Sequence, residues 1–205
     1  IKLELAPIRR MLAELGDPQK RLQAIHVAGT NGKGSIASAL AAILHQAGYR
    51  TGLFTSPHLV RFNERIRVDN REIDDDAVVR AYRAVKSVAS GEREPTFFEF
   101  STAMALYEFA RRGVRWAVVE TGMGGRMDAT NPLEPAVSII SNISMEHQMY
   151  LGNTIAQIAG EKAGIVKPET PVVTGARQKS AIEVIEAAAR DRSAPLHRFK
   201  TDFRV

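Results

Sequence analysis

The run Gly29-Thr30-Asn31-Gly32-Lys33-Gly34-Ser35 has the residue types of a loop that holds phosphate. Glycines let the backbone turn so that successive N–H groups converge on phosphate oxygens, and a helix beginning there adds partial positive charge. Lys33 supplies a full one. The surroundings fit, because Ala24-Ile25-His26-Val27-Ala28 reads as a strand running into the loop and Ser35 to Ala47 as the helix beyond it. Two features depart from the commonest phosphate loop. The first glycine stands two residues closer to the Gly-Lys pair, and Gly34 fills the slot where Ser or Thr normally meets magnesium. A metal ligand therefore has to come from elsewhere.

Phosphoryl transfer needs a divalent cation held by oxygen or imidazole groups. Glu120 ends an apolar strand at its carboxyl edge, where ligands bind in open parallel sheets; Ser56 follows the next strand after the loop; His147 follows the run Ala136 to Ser141. Each has an ordinary alternative as a strand-end charge, a turn former before Pro57 or a loop histidine. Lys162, late in a helix, reads by itself as a solvated lysine. In Gly122-x-Gly124-Gly125 the backbone can be approached closely, and Asp128 with Asn131 either hydrogen-bonds a polar heterocycle or stabilises the turn. The polar stretch from Ser56 to Ile66 carries Arg61 and Arg65, which could meet carboxylates or phosphates. Met104, Met123, Met127, Met145 and Met149 are either packing filler or pocket walls.

These residues need a scaffold. Short apolar runs alternate with helical patterns, which predicts an α/β fold with a mainly parallel sheet flanked by helices. Strands are expected at Ala24 to Ala28, Thr51 to Phe54, Trp116 to Glu120, Ala136 to Ile140, Pro171 to Thr174 and Leu196 to Phe199. An opening helix has Leu5, Ile8, Leu12 and Leu15 on one face and stops at Gly16. The spacings Thr96-x-x-Glu99, Thr154-x-x-Gln157 and Ser180-x-x-Glu183 each predict a helix start with a capping box. The 205 residues, 44% of them apolar, are enough for one domain with a real core. There is no cysteine, so disulfides and thiolate metal sites are excluded. No apolar run is long enough to cross a bilayer and the first residues are charged, so a soluble, cytoplasmic protein without a membrane partner is expected. The net charge of +5 suits a small polyanion, and no basic run is interleaved with aromatics, which argues against nucleic acid. The chain stops at Thr201-Asp202-Phe203-Arg204-Val205 with neither a closing helix nor a polar tail, so residues 1–205 are expected to be a truncated domain.

At His26 to Ser35 the sequence resembles the folylpolyglutamate synthase and dihydrofolate synthase family, relatives of the Mur ligases. Four further stretches share the resemblance: Thr55-Ser56-Pro57-His58-Leu59 with Arg61 to Ile66, Phe97-Phe98-Glu99-Phe100, Glu120 to Asn131, and Glu161-Lys162-Ala163-Gly164-Ile165. It implies a nucleotide-binding Mur ligase central domain, missing the family's C-terminal domain, which binds ATP and joins L-glutamate to a folate or dihydropteroate. It also implies that Ser56, Glu120 and His147 share a magnesium ion and that Lys162 carries a carbamate. By the same resemblance Thr96, Phe98, Asp128 and Ala129 match pterin-contacting positions. The family usually has Asp before the metal histidine, whereas Glu146 stands here. Two rival readings are a Mur-type amino-acid ligase, against which Gly34 and the Ser-Pro-His-Leu stretch argue, and a nucleotide-binding fragment without turnover.

Overall fold

The computed structural model describes residues 4–89 and 93–204. Its sheet contains β1 (Gln23–Ala28), β2 (Thr51–Phe54), β3 (Ile66–Val68), β4 (Arg71–Glu72), β5 (Trp116–Glu120), β6 (Pro135–Ile140), β7 (Val172–Thr174) and β8 (Leu196–Arg198). The order is β4-β3-β2-β5-β1-β6-β7-β8. From β2 to β8 every neighbouring pair is parallel, so β1, β2, β5 and β6 deliver their carboxyl ends to one edge. That edge is where the chemistry expected from the sequence belongs.

The expected strands are present with shifts of about one residue at their ends. β3 and β4 were not anticipated. They form an antiparallel hairpin on the β2 edge, turned by Asp69 and Asn70 at φ 52° and 62°. Two successive left-handed residues suit the twist of a two-residue hairpin. β4 consists of Arg71 and Glu72, both exposed, so no apolar pattern announces the hairpin.

Helices cover both faces, because successive strand residues point to opposite sides. On one face Ile25, Val27, Leu53 and Val118 pack against Ala37 and Ala41 of α2 (Lys33–Gln46). On the other, Ala24, Phe54, Ala117 and Val119 meet α1 (Ala6–Glu14), α3 (Asp75–Val88) and α4 (Phe97–Arg111). Beyond the short α5 (Gln148–Leu151), the same sheet continues under α6 (Ile155–Ala163) and α7 (Lys179–Asp191), where Ile140, Ile158 and Ile185 form a second cluster. Among the described residues, no helix is long and apolar enough to cross a membrane.

The expected capping boxes separate on inspection. Thr96 and Glu99 make the full reciprocal pair. Thr154 accepts from the Gln157 amide, but the Gln157 side chain reaches the Asn153 amide rather than that of Thr154. Ser180 is inside α7, which begins at Lys179 after Gln178 and has no side-chain cap. Gln178 instead donates to the Ile143 carbonyl at 2.7 Å, a tertiary contact that moves the helix start upstream of the capping spacing.

Candidate functional site

β1 ends at Ala28 and the phosphate loop follows at the sheet's carboxyl edge, as the strand-glycine-helix order predicts. Gly29 has φ 140°, and a Cβ on it would overlap the Ser141 hydroxyl. That hydroxyl donates to the Asn31 carbonyl at 2.8 Å. Asn142 accepts from the Thr30 amide through its carbonyl at 2.9 Å and from the Asn31 amide through Oδ1 at 3.0 Å. Thr30 Oγ1 donates to the Ser144 carbonyl at 3.2 Å and accepts from its amide at 3.0 Å. The segment after β6 thus clamps the loop from outside. α2 then starts behind Gly32, at φ 79°, with no side chain capping it. Its first amides have no partner within the helix. Lys33 Nζ donates to the Thr30 carbonyl at 3.0 Å, half-buried beside them.

Glu120 ends β5 and is 4% exposed. Its Oε2 accepts from the Ser56 amide at 3.0 Å. Burial pushes its carboxyl pKa up, against the Ser56 amide and Lys33. A Cβ on Gly34 would stand 3.4 Å from the same oxygen. The slot that usually carries a hydroxyl therefore lies against the Glu120 carboxylate. His147 is exposed, at φ 43°, immediately before α5.

One cleft of about 660 Å³ gathers most of the expected residues. Thr30, Lys33, Ser56 and His147 line it together with Thr96, Phe98, Asp128 and Ala129. Glu120 reaches it through Ser56. Asn31, Gly32 and Ser35 are exposed in the loop itself. Among the described residues no group of three or more His, Cys, Asp or Glu side chains could hold a metal. Ser56, Glu120 and His147 offer two such groups and a hydroxyl, and a magnesium ion that keeps several of its waters needs few protein ligands. Their donor types, a carboxylate, an imidazole and a hydroxyl, are of the kind such an ion accepts.

Lys162 is not on the cleft wall. It is 1% exposed, and Nζ lies 2.7 Å from the Gly29 carbonyl and 2.5 Å from Glu146 Oε1. Burial lowers its pKa, Glu146 opposes that and Lys33 adds to it. Glu146 itself lines the cleft, so the lysine stands behind it. The lysine bears on the phosphate loop from beneath, through the Gly29 carbonyl.

Around Thr96, Phe98 and Asp128 the side chains are largely engaged. Thr96 Oγ1 accepts from the Glu99 amide at 3.2 Å, and Glu99 returns the bond to the Thr96 amide at 2.7 Å. Arg93 closes on Glu99 with contacts of 2.9 and 2.6 Å. Phe98 lies over Gly122, where a Cβ would come within 2.6 Å of its ring. Asp128 Oδ2 accepts from the Gly122 and Met123 amides, each at 2.9 Å. Of the two readings of Asp128, turn stabilisation describes its contacts. Sequence reasoning missed the clamp by Ser141, Asn142 and Ser144, and left Arg65 undecided. Arg65 lines the cleft, donates to His58 Nδ1 at 2.7 Å and has its guanidinium 5.0 Å from the centre of the Phe97 ring. Arg61 turns to Asp75 on the exposed surface. Met123 and Met127 are cleft walls, whereas Met104 is core.

Comparison with known proteins agrees with this fold. The Mur ligase middle domain matches residues 27–202. The dihydrofolate synthase/folylpolyglutamate synthase of Bacillus subtilis is 43% identical over 201 residues, covering 95% of this chain and 47% of that protein. The crystal structure of a Thermotoga maritima folylpolyglutamate synthase superposes with a TM-score of 0.94 at 41% identity, covering 100% of this chain and 48% of the other. A folylpolyglutamate synthase solved with AMPPCP and folate gives 0.93 at 42% identity, covering 97% of this chain and 50% of the other. The chain spans about half the length of the relatives it matches. A phosphate loop at the carboxyl edge of a parallel sheet, within a match that takes in most of the sequence, means that this chain belongs to the Mur ligase middle-domain family.

Proposed function

We propose that the polypeptide carrying this chain is an ATP-dependent ligase that adds L-glutamate to the γ-carboxylate of a folate, and that residues 1–205 are its ATP-binding part. The observation that carries this reading is the single cleft in which Lys33 and Ser56 face Thr96, Phe98, Asp128 and Ala129. Nucleotide and acceptor can then meet. The relative solved with AMPPCP and folate supports the pairing of substrates.

In the reaction, an oxygen of the acceptor carboxylate attacks the γ-phosphorus, ADP departs and an acyl phosphate forms. The amine of glutamate then attacks the acyl carbon and phosphate leaves. Lys33 and the uncapped start of α2 neutralise charge on the phosphates, and the protein's contribution is mainly positioning and electrostatics. A magnesium ion, held by the Ser56 hydroxyl, Glu120 and His147, would supply further neutralisation when bound. Lys162 would take CO2 on its amine as a carbamate. Burial favours the neutral amine this needs, but the Glu146 pair has to open first.

The test is ATP-dependent transfer of glutamate by the full-length polypeptide to a tetrahydrofolate, to dihydropteroate and to a UDP-muramyl peptide. Transfer to the first supports the reading, and to the second adds dihydrofolate synthase activity. Transfer to the third alone would establish a Mur-type amino-acid ligase instead. Nucleotide binding with no transfer to any of them would leave a binding module. Growth in 13C-bicarbonate followed by 13C NMR would detect the carbamate, and its loss in Lys162→Ala would assign it.

A further inference from the structure

A buried polar chain joins the strand that feeds the phosphate loop to the loop under the acceptor side. His26, in the middle of β1 and fully buried, has Nε2 2.7 Å from Thr130 Oγ1. That hydroxyl lies 2.5 Å from Asp128 Oδ1, which also accepts from the Thr130 amide at 3.0 Å. Asp128 Oδ2 takes the Gly122 and Met123 amides. The other ring nitrogen, His26 Nδ1, is buried with no partner among the described residues. An apolar side chain would serve a central strand at less cost, so this histidine asks for an explanation.

The Thr130 hydroxyl has one proton, which decides the direction of the chain. If it goes to Asp128, the imidazole must donate through Nε2–H and Nδ1 is left as a bare lone pair. If it goes to His26, Asp128 must itself be protonated and Nδ1 carries an N–H with nothing to bond. The first arrangement wins on two grounds. Burial pushes the Asp128 carboxyl pKa up, but three backbone amides and the Thr130 hydroxyl oppose that and favour a carboxylate, and an orphaned buried donor is rarer than an orphaned acceptor. Burial, with Lys167 adding to it, pushes the imidazole down to about 3, so the ring is neutral.

We propose that His26 is a positioning residue for the acceptor subsite: its Nε2–H directs the Thr130 hydroxyl onto Asp128, which thereby holds the Gly122 and Met123 amides and the floor on which Phe98 packs. Asp128, Ala129 and Phe98 all line the cleft, so a slackened floor reshapes the surface offered to a ring-bearing acceptor. The identity of that acceptor rests on the ligase reading above, but the proton arrangement does not.

Two measurements on the full-length polypeptide test this. Long-range 1H–15N spectra, with the His26 signals assigned by their loss in His26→Gln, should show an Nε2–H tautomer. It should not change between about pH 8 and about pH 5, across the ordinary histidine range. An Nδ1–H tautomer, or titration in that interval, would overturn the proposal. In the second measurement, Thr130→Val removes the hydroxyl at similar volume and His26→Leu removes the donor. Each should raise the acceptor KM by roughly ten-fold and leave the ATP KM within about two-fold. His26→Gln, which keeps an N–H donor, should recover most of the loss. An unchanged acceptor KM in Thr130→Val, or an equal rise in both KM values, would refute the positioning role. If the wild type ligates no acceptor, the ligase reading fails by itself and the tautomer still decides the chain.

Discussion

Two helices begin beside the same cleft and are finished in opposite ways. α4 starts with Thr96 and Glu99 bonding each other's backbone, and Arg93 closes over the carboxylate. α2 starts behind Gly32 with no side-chain cap. The free amides and positive end of a helix dipole have to be answered by something. At α4 the chain provides the answer itself, and at α2 the answer is left to an anion. The adjoining loops repeat the contrast. Asp128 ties up the Gly122 and Met123 amides within the acceptor loop, whereas the phosphate loop is steadied from outside by Ser141, Asn142 and Ser144. Asn142 takes the Thr30 and Asn31 amides, so the amides left for a ligand are those at the start of α2.

The contrast breaks most visibly at Lys33, the charge beside the open helix start. Lys33→Ala should slow phosphoryl transfer by ~100-fold or more on electrostatic grounds. Retained ATP-dependent turnover in that variant would show that the uncapped helix does not serve the nucleotide. On the closed side, Gly122→Ala would push a Cβ into the Phe98 ring. Overpacking of this kind costs about 1–3 kcal/mol, so the urea midpoint should fall and Phe98→Leu in the same chain should restore part of it. A smaller effect separates the two sides by pH. With a folded pKa depressed to about 3, His26 contributes stability that is full above its unfolded value near 6.5 and is lost as pH falls below it. Between pH 7.5 and 5 the loss is about 2 kcal/mol, and His26→Gln should remove that part of the slope in unfolding curves. The smallest effect concerns the cap. Thr96→Ala should cost about 1 kcal/mol of stability while leaving the ATP KM unchanged, and a change in ATP affinity would mean that the two helix starts are not independent.

The sequence by itself determined the local order. Strand, glycine turn and helix follow one another at Ala24 to Ala47, and the six longer runs with strand character are all strands. Periodicity and residue type carry that information because they act over a few neighbours. The placing of Glu120, Ser56 and His147 after strands was legible for the same reason, since a parallel sheet sends every such residue to one edge. Tertiary structure decided what each group touches. Thr96, Thr154 and Ser180 have the same capping spacing, yet one makes the full box, one half of it and one none, because Gln157 and Gln178 found other partners. Lys162 reads as a solvated lysine by itself and proves buried against Gly29, 133 positions away, and Glu146. Asp128, open between ligand and turn, is claimed by Thr130 and two backbone amides. No local pattern encodes such partners, because burial and charge pairing are settled only when strands distant in sequence come to lie side by side.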